Sequence, residues 1–391
     1  MCARSNFASS AIPRVSACSI VVGLVVALTW KQGDVVLILM VNDNGDQAVQ
    51  VEQELAEQGL DWQLARAASL EVALAMAADL SPDVLVCGER VGPAAGLAVL
   101  TQLRERHPDA VRILLMESGR EQEAMQALET AHRVLPEPLE ALPLIEAVES
   151  VMELRALLED PALKQAINRV GALPAAPRQY MALTRLLRDP DTSAARIAEV
   201  VSQDPTVAAR VLRLTNSAYY SGGREISDLR TAVTRLGQNA LRHLVLASEV
   251  FAAGADADAI RDRSLRISQL AGRLLAGPSA ELASTAGLLS EVGLLLPKLT
   301  VQDQHGSAAS YATTGAYLLG LWGLPGPIVE AVAFHLQPAR IRGSFWVAGA
   351  VHVAAALVNG REIDTAYLRT VGQLDKLPKW QALAESLSEA A

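Results

Sequence analysis

DPTVAARVLRLTNSAYY, residues 204–220, decides the fold of the second half of this chain. Asp204 is placed to accept hydrogen bonds from the free amides of a first helical turn, and Pro205 suits the first helical position, where no amide partner is needed. Val207, Ala208, Val211, Leu212 and Thr215 recur at helical spacing, so one face is apolar while Arg210 and Arg213 point elsewhere. NSAYY then reads as a polar turn. Physics alone makes this an amphipathic helix of an all-helical domain.

Working outward, the 391 residues suffice for two domains, each burying its own core. Lys and Arg number 34 against 43 Asp and Glu, a net charge of −9, the wrong balance for a domain that holds phosphate backbones. General nucleic-acid binding is therefore excluded. Cys2, Cys18 and Cys87 form neither a disulfide framework nor a paired metal motif, and a reducing cytoplasm is the simplest setting. Residues 1–34 form a separate apolar extension. Its run ACSIVVGLVVALTW (17–30) is short for a membrane span and nearer in length to a signal-peptide core, with no clear cleavage site after it. A disordered or mis-started extension and a membrane anchor through residues 17–30 both stay open.

Residues 35–158 alternate short apolar strands with helical segments. The strands read VVLILMV (35–41), DVLVC (83–87), VRILLM (111–116) and HRVL (132–135), with a fifth near Trp62–Ala65. Continuous apolar strands alternating with helices predict a parallel sheet covered on both faces, a flavodoxin-like (βα)5 domain. With its SPDVLVCGERVGPAAGLAVLTQLRERHPD segment (81–109), this half resembles a response-regulator receiver domain. The resemblance puts the phosphoacceptor on Gly88, the acidic pair on Asn42 and Asp43, the hydroxyl on Met116 and the lysine on Glu137. Glu89 is adjacent to the acceptor position but points to the other face of a strand. Asp43 is expected to survive as a loop or helix-capping residue. The expectation is a pseudo-receiver that docks or dimerises and is not switched by phosphorylation.

Ala141–Leu158 continues as a helix, and Pro and Ala in 159–180 mark a boundary near 160. From 161 to 391 the chain reads as helices joined by short turns. Five strings in order carry a resemblance to the HDOD domain, a regulatory relative of HD-type metal phosphohydrolases. They are DPTVAARVLRLTNSAYY, ISDLRTAVTRLGQNALRHLVLASEVF (226–251), STAGLLSEVGLLL (284–296), TTGAYLLGLWGLP (313–325) and AVAFHL (331–336). HD enzymes hold a divalent metal with imidazole and carboxylate ligands, which turns its bound water into a nucleophile. The resemblance places the His-Asp pair on Ser290 and Glu291, an earlier histidine on Arg263 and a later one on Tyr311. In AVAFHL, His335 survives beside Leu336. One imidazole and one carboxylate do not make a metal site, so no metal, cofactor or catalytic residue is expected.

His107, His132, His243, His305 and His352 show no metal-ligand spacing. His335 reads as a pocket relic or as a histidine hydrogen-bonded on a helix. Asn216 and Ser217 either line a groove for a peptide or nucleotide, with Arg210 and Arg213, or cap the helix through backbone bonds. Arg210, Arg213, Arg230, Arg235 and Arg242 form a basic stripe or a solvated face. The resemblance implies a cytoplasmic, non-catalytic bacterial signalling adaptor whose partners are signalling proteins, with homodimerisation through the receiver-like sheet edge or last helices. The alternatives are a metal-dependent phosphohydrolase or phosphodiesterase, and a nucleotide sensor without turnover.

Overall fold

The computed structural model describes residues 36–117, 123–124, 127–128, 130–155, 161–170, 182–183, 185–187, 189, 191–217, 225–246, 255–296 and 311–389. The apolar run 17–30, the GALPAAP turn, Tyr219, Tyr220 and His305 lie outside these residues. Among the described residues no helix is long and apolar enough to cross a membrane.

The first half contains the main strands β1 (Leu37–Val41), β2 (Gln63–Ala67) and β3 (Val84–Cys87). After a two-residue-stranded hairpin, β4 (Arg90–Val91) with β5 (Ala94–Ala95), come β6 (Val111–Met116) and β7 (Arg133–Pro136). The five main strands are parallel, in the order β2-β1-β3-β6-β7. That is the flavodoxin-like doubly wound order. Helices α1 (Gly45–Glu57) and α4 (Ala141–Arg155) pack on each other, as do α2 (Leu70–Asp79) and α3 (Gly96–Arg106). Strands β3 and β6 are buried throughout, which is why they read as apolar runs, with Arg112 the exception in β6. The small β4–β5 hairpin, invisible as a strand pattern, follows Gly88 directly.

The second half is helical. It contains α5 (Pro161–Asn168), α6 (Ala194–Val201), α7 (Pro205–Asn216), α8 (Leu229–Leu246), α9 (Ala255–Leu274) and α10 (Pro278–Leu289). A 3-10 turn at Val292–Leu295 leads on to α11 (Tyr311–Leu321), α12 (Gly326–Phe334), α13 (Val347–Val358), α14 (Thr365–Thr370) and α15 (Leu377–Glu389). Gly237, at φ 70° and ψ 170°, breaks α8 into the two helices expected on either side of Leu236-Gly237.

Asp204 begins α7 as its sequence predicts. Its carboxylate accepts from the amides of Thr206 (2.8 Å) and Val207 (3.1 Å). It also forms an ion pair with Arg261 of α9 at 3.2 Å, with both side chains almost completely buried. The cap thus ties α7 to α9 as well as closing its own helix.

The two halves meet at a buried polar seam centred on Asn168, the last residue of α5. Its Nδ2 donates to the carbonyls of Pro108 (3.2 Å) and Asp109 (3.0 Å), and its Oδ1 accepts from the Tyr317 phenol of α11 at 3.1 Å. Its backbone carbonyl accepts from the Arg112 guanidinium at 2.5 Å and from His132 Nε2 at 3.0 Å. The His132 tautomer is fixed: Nδ1 accepts the Arg112 amide (3.1 Å), so Nε2 carries the proton. Arg213 of α7 donates to the carbonyls of Leu128 (2.5 Å) and Ala131 (2.9 Å) and lies 4.6 Å over the Trp322 ring. Arg133 at the β7 edge donates to the Gly320 carbonyl (2.7 Å), and α4 packs against α11. The apolar core is continuous from Val36 of the sheet domain to Ala355 of α13.

Three outcomes follow from these contacts. Asp204→Ala removes a cap and strips a buried guanidinium of a partner, so chemical denaturation is expected to show a loss of about 3 kcal/mol. Asn168→Ala leaves several buried groups unpaired, costing about 2–4 kcal/mol, and calorimetry is expected to split one unfolding transition into two. Burial and the neighbouring Arg112 charge hold the His132 pKa well below its usual value. The unfolded chain therefore takes up a proton that the native state refuses. Stability is fully present above about pH 6.5 and falls below it, and His132→Gln is expected to flatten that acid limb in pH-dependent melts.

Candidate functional site

Asn42, Gly88, Met116 and Glu137 come together at or just beyond the carboxyl ends of β1, β3, β6 and β7, where open α/β sheets place their sites. Gly88 offers no acceptor atom, and a methyl added there would lie 3.2 Å from the Arg90 carbonyl and 3.4 Å from Asn42 Cγ. Asn42 Nδ2 donates to Gln47 Oε1 (2.7 Å) and to Glu137 Oε1 (3.3 Å), while its Oδ1 accepts from the Asn44 amide (3.0 Å). Burial raises the Glu137 pKa, opposed by the Asn42 bond and reinforced by the nearby Glu117 and Asp43 charges. A phosphoryl group here would meet a carboxyl group where a receiver has an ammonium. Glu89 is half-buried, and its carbonyl accepts from the Gly96 amide (2.8 Å).

Of the two roles expected for Asp43, loop residue or helix cap, the structure shows the loop. Asp43 is exposed, and Asn44 caps α1 by accepting from the Gln47 amide at 3.4 Å. The adjacent Cys87 thiol is pushed up to about 12 by burial and the Glu137 charge, so it is not a thiolate nucleophile.

The positions aligned with HD metal ligands also converge, although α9, the end of α10, the start of α11 and the end of α12 supply them. Arg263 Nε donates to Glu291 Oε2 at 3.0 Å, and Asn359 Nδ2 donates to Glu291 Oε1 at 3.0 Å. Glu291 is 1% exposed, so both oxygens of this buried carboxylate are held by protein donors. Tyr311 is brought against this turn by Gly293, where an added methyl would lie 2.0 Å from the Tyr311 carbonyl. His335 caps α12, and its Nδ1–H donates to the Val332 carbonyl (2.9 Å). Its Nε2 therefore accepts, and the Tyr311 phenol donates to it at 3.4 Å while receiving an N–H from Arg361 at 3.2 Å. Burial lowers the His335 pKa to about 4, so the ring is neutral. Burial raises the Tyr311 pKa against the opposing bond and charge of Arg361. Ser290 is buried, and its hydroxyl donates to the Gly287 carbonyl (2.8 Å).

These residues do not fit a divalent metal. The carboxylate is already neutralised by a guanidinium that does not deprotonate in proteins. Among the described residues no group of three or more His, Cys, Asp or Glu side chains is placed to hold a metal ion.

The end of α7 is structural. Asn216 Nδ2 donates to the carbonyls of Leu212 (3.0 Å) and Ile226 (2.7 Å), and its Oδ1 accepts from the Ile226 amide (2.7 Å). It stitches the helix to the segment ten residues on, a longer reach than a bond within the NSAYY turn. Ser217 Oγ donates to the Leu214 carbonyl (2.6 Å). Arg213 is corrected from groove or solvated face to buried seam, because the sheet domain supplies its carbonyl partners. Arg210 is half-buried, whereas Arg230 and Arg235 are exposed. The hub residues Arg112, His132, Asn168 and Tyr317 were not singled out by function. The visible signal was Arg112, a charge inside the otherwise apolar run VRILLM.

Residues 173–309 match the family model of the HDOD domain. An uncharacterized protein of Treponema pallidum (strain Nichols) is 26% identical over 199 residues, covering 43% of this chain and 38% of that protein. The chain thus spans about two fifths of the length of that curated relative. The MmoQ response regulator of Methylococcus capsulatus aligns over 54% of this chain and 98% of its own, at 21% identity and a TM-score of 0.44. A virulence factor of Campylobacter jejuni aligns over 57% of this chain and 93% of its own, at 17% identity and a TM-score of 0.44. In this chain a flavodoxin-like sheet domain thus precedes a helical segment that matches the HDOD-domain model.

Proposed function

We propose that this protein is a non-catalytic signalling adaptor of the cytoplasm, acting through protein–protein contacts of its receiver-like and HDOD domains. The observation that carries this reading is the Arg263–Glu291–Asn359 cluster, which puts a permanent cation on the carboxylate that a metal would need. The pairing of Asn42 with Glu137 beside Gly88 supports the same reading for the sheet domain. Both chemistries would require groups that these positions do not offer, while the surrounding scaffold is kept.

Such an adaptor presents its two domains in one fixed arrangement, because Asn168, Arg112 and Arg213 bind them together. Partner signalling proteins would meet a surface drawn from both. In a homodimer the last helix of the sheet domain, α4, is already engaged by α11, and β7 is tied to α11 by the bond from Arg133 to the Gly320 carbonyl. Pairing through the sheet would therefore use the β2 edge.

Elemental analysis of the full-length protein is expected to give manganese, iron and zinc well below one per chain, with no hydrolysis of cyclic dinucleotides or aryl phosphates. Incubation with acetyl phosphate and Mg²⁺ is expected to leave the mass unchanged. Stoichiometric metal together with turnover that is lost in His335→Ala would sink the reading.

A further inference from the structure

The two edges of the parallel sheet are finished differently. β7 carries Arg133, which donates to the Gly320 carbonyl of α11, and it ends in Pro136, which has no amide to offer a further strand. β2, at the other edge, pairs with β1 alone. Its sequence QLARA holds neither the proline nor the lysine that would keep an edge strand from pairing. Its one charge, Arg66, is paired with Glu52 of α1, so on a chain of net charge −9 this strand meets a neighbour with its charge already balanced.

The ladder fixes which backbone groups face outward. Gln63 donates its amide to the Val36 carbonyl (2.9 Å), and the Ala67 carbonyl accepts from the Asn42 amide (3.1 Å). Alternation along the strand turns Gln63, Ala65 and Ala67 toward β1, and the amides and carbonyls of Leu64 and Arg66 away from it. Among the described residues no strand pairs with that outward side. Leu64 and Ala65 are half-buried, as is Trp62 just before the strand. On α2, which packs against β2, Leu74 and Met76 are half-buried and Val72 is 45% exposed. An open ladder edge thus lies among apolar side chains.

We propose that two copies of this chain pair through β2, antiparallel about a two-fold axis at Ala65, joining two five-stranded sheets into one. The inference rests on the homodimer of the adaptor reading and names its surface. In this register Leu64 lies opposite Arg66 of the second copy and exchanges both backbone hydrogen bonds with it, and the reciprocal pair does the same. The two Ala65 residues meet at the axis, where opposed strands come closest and a methyl group fits. A register centred on Arg66 would instead set two guanidiniums directly opposite each other, which is unfavourable. With the β7 edge engaged by α11, pairing through the β2 edge is isologous and closes at two copies.

Analytical ultracentrifugation of the full-length protein tests this. A dimer is expected, with its dissociation constant raised about tenfold or more by Ala65→Asp, which sets two like charges face to face. Leu142→Glu, on the exposed first turn of α4, is expected to leave that constant unchanged. Ala65→Cys is expected to oxidise to a covalent dimer that the wild type does not form. A non-hydrogen-bonded antiparallel pair holds its Cα atoms about 4.5 Å apart, within the span of about 4.4–6.8 Å that a disulfide bridges. A monomer at every concentration, a dimer that Ala65→Asp leaves intact, or no covalent dimer from Ala65→Cys overturns the proposal. Dissociation by Leu142→Glu also overturns it and moves the interface to α4. Each of these outcomes leaves the non-catalytic reading standing, because bound metal and turnover decide that separately.

Discussion

The structure depends on one buried amide. Asn168 donates its side-chain amide to the Pro108–Asp109 turn, accepts from Tyr317 of α11 at its side-chain oxygen and from Arg112 of β6 at its backbone carbonyl. A buried polar group is costly when unpaired, so a hub of this kind admits only one arrangement of its partners. The apolar core alone would tolerate sliding between α4 and α11, since hydrophobic contact is non-directional. Asn168, Arg112, His132 and Tyr317 supply the direction.

The two centres share a logic. In each, a position aligned with an ionisable or metal-binding group now holds a side chain that satisfies its neighbour internally: Asn42 with Glu137, and Arg263 with Glu291. Each pairing satisfies polar groups at these positions from within the chain. A buried carboxylate or imidazole left without a partner would cost stability, so such pairings keep the fold intact.

Much of this was legible in the chain. The parallel strands declared themselves as apolar runs, and Asp204-Pro205 marked the start of α7 to the residue. The aligned positions Arg263, Ser290, Glu291, Tyr311 and His335 gather from four separate helices, which only the family resemblance could anticipate. Local pattern failed where the partner lay in the other domain. Arg213 reads as polar and therefore outward-facing, yet Leu128, Ala131 and Trp322 bury it. Asp43 and Asn44 are equally good caps by residue type, and backbone geometry chose Asn44. Asn168 sits near a proline-rich boundary that looks like linker, so nothing local announced a hub.

Across the seam, the Arg112 guanidinium reaches the Asn168 carbonyl and that of Arg213 reaches the Leu128 and Ala131 carbonyls. These are charge–dipole contacts inside protein, beyond the reach of mobile counter-ions. A cell that changes its ionic strength, by osmotic shock or salt uptake, would loosen surface ion pairs elsewhere while leaving this junction closed. The relative placement of the two domains is thereby insulated from the osmotic state of the host. Screening of surface charge alone therefore leaves the two halves joined.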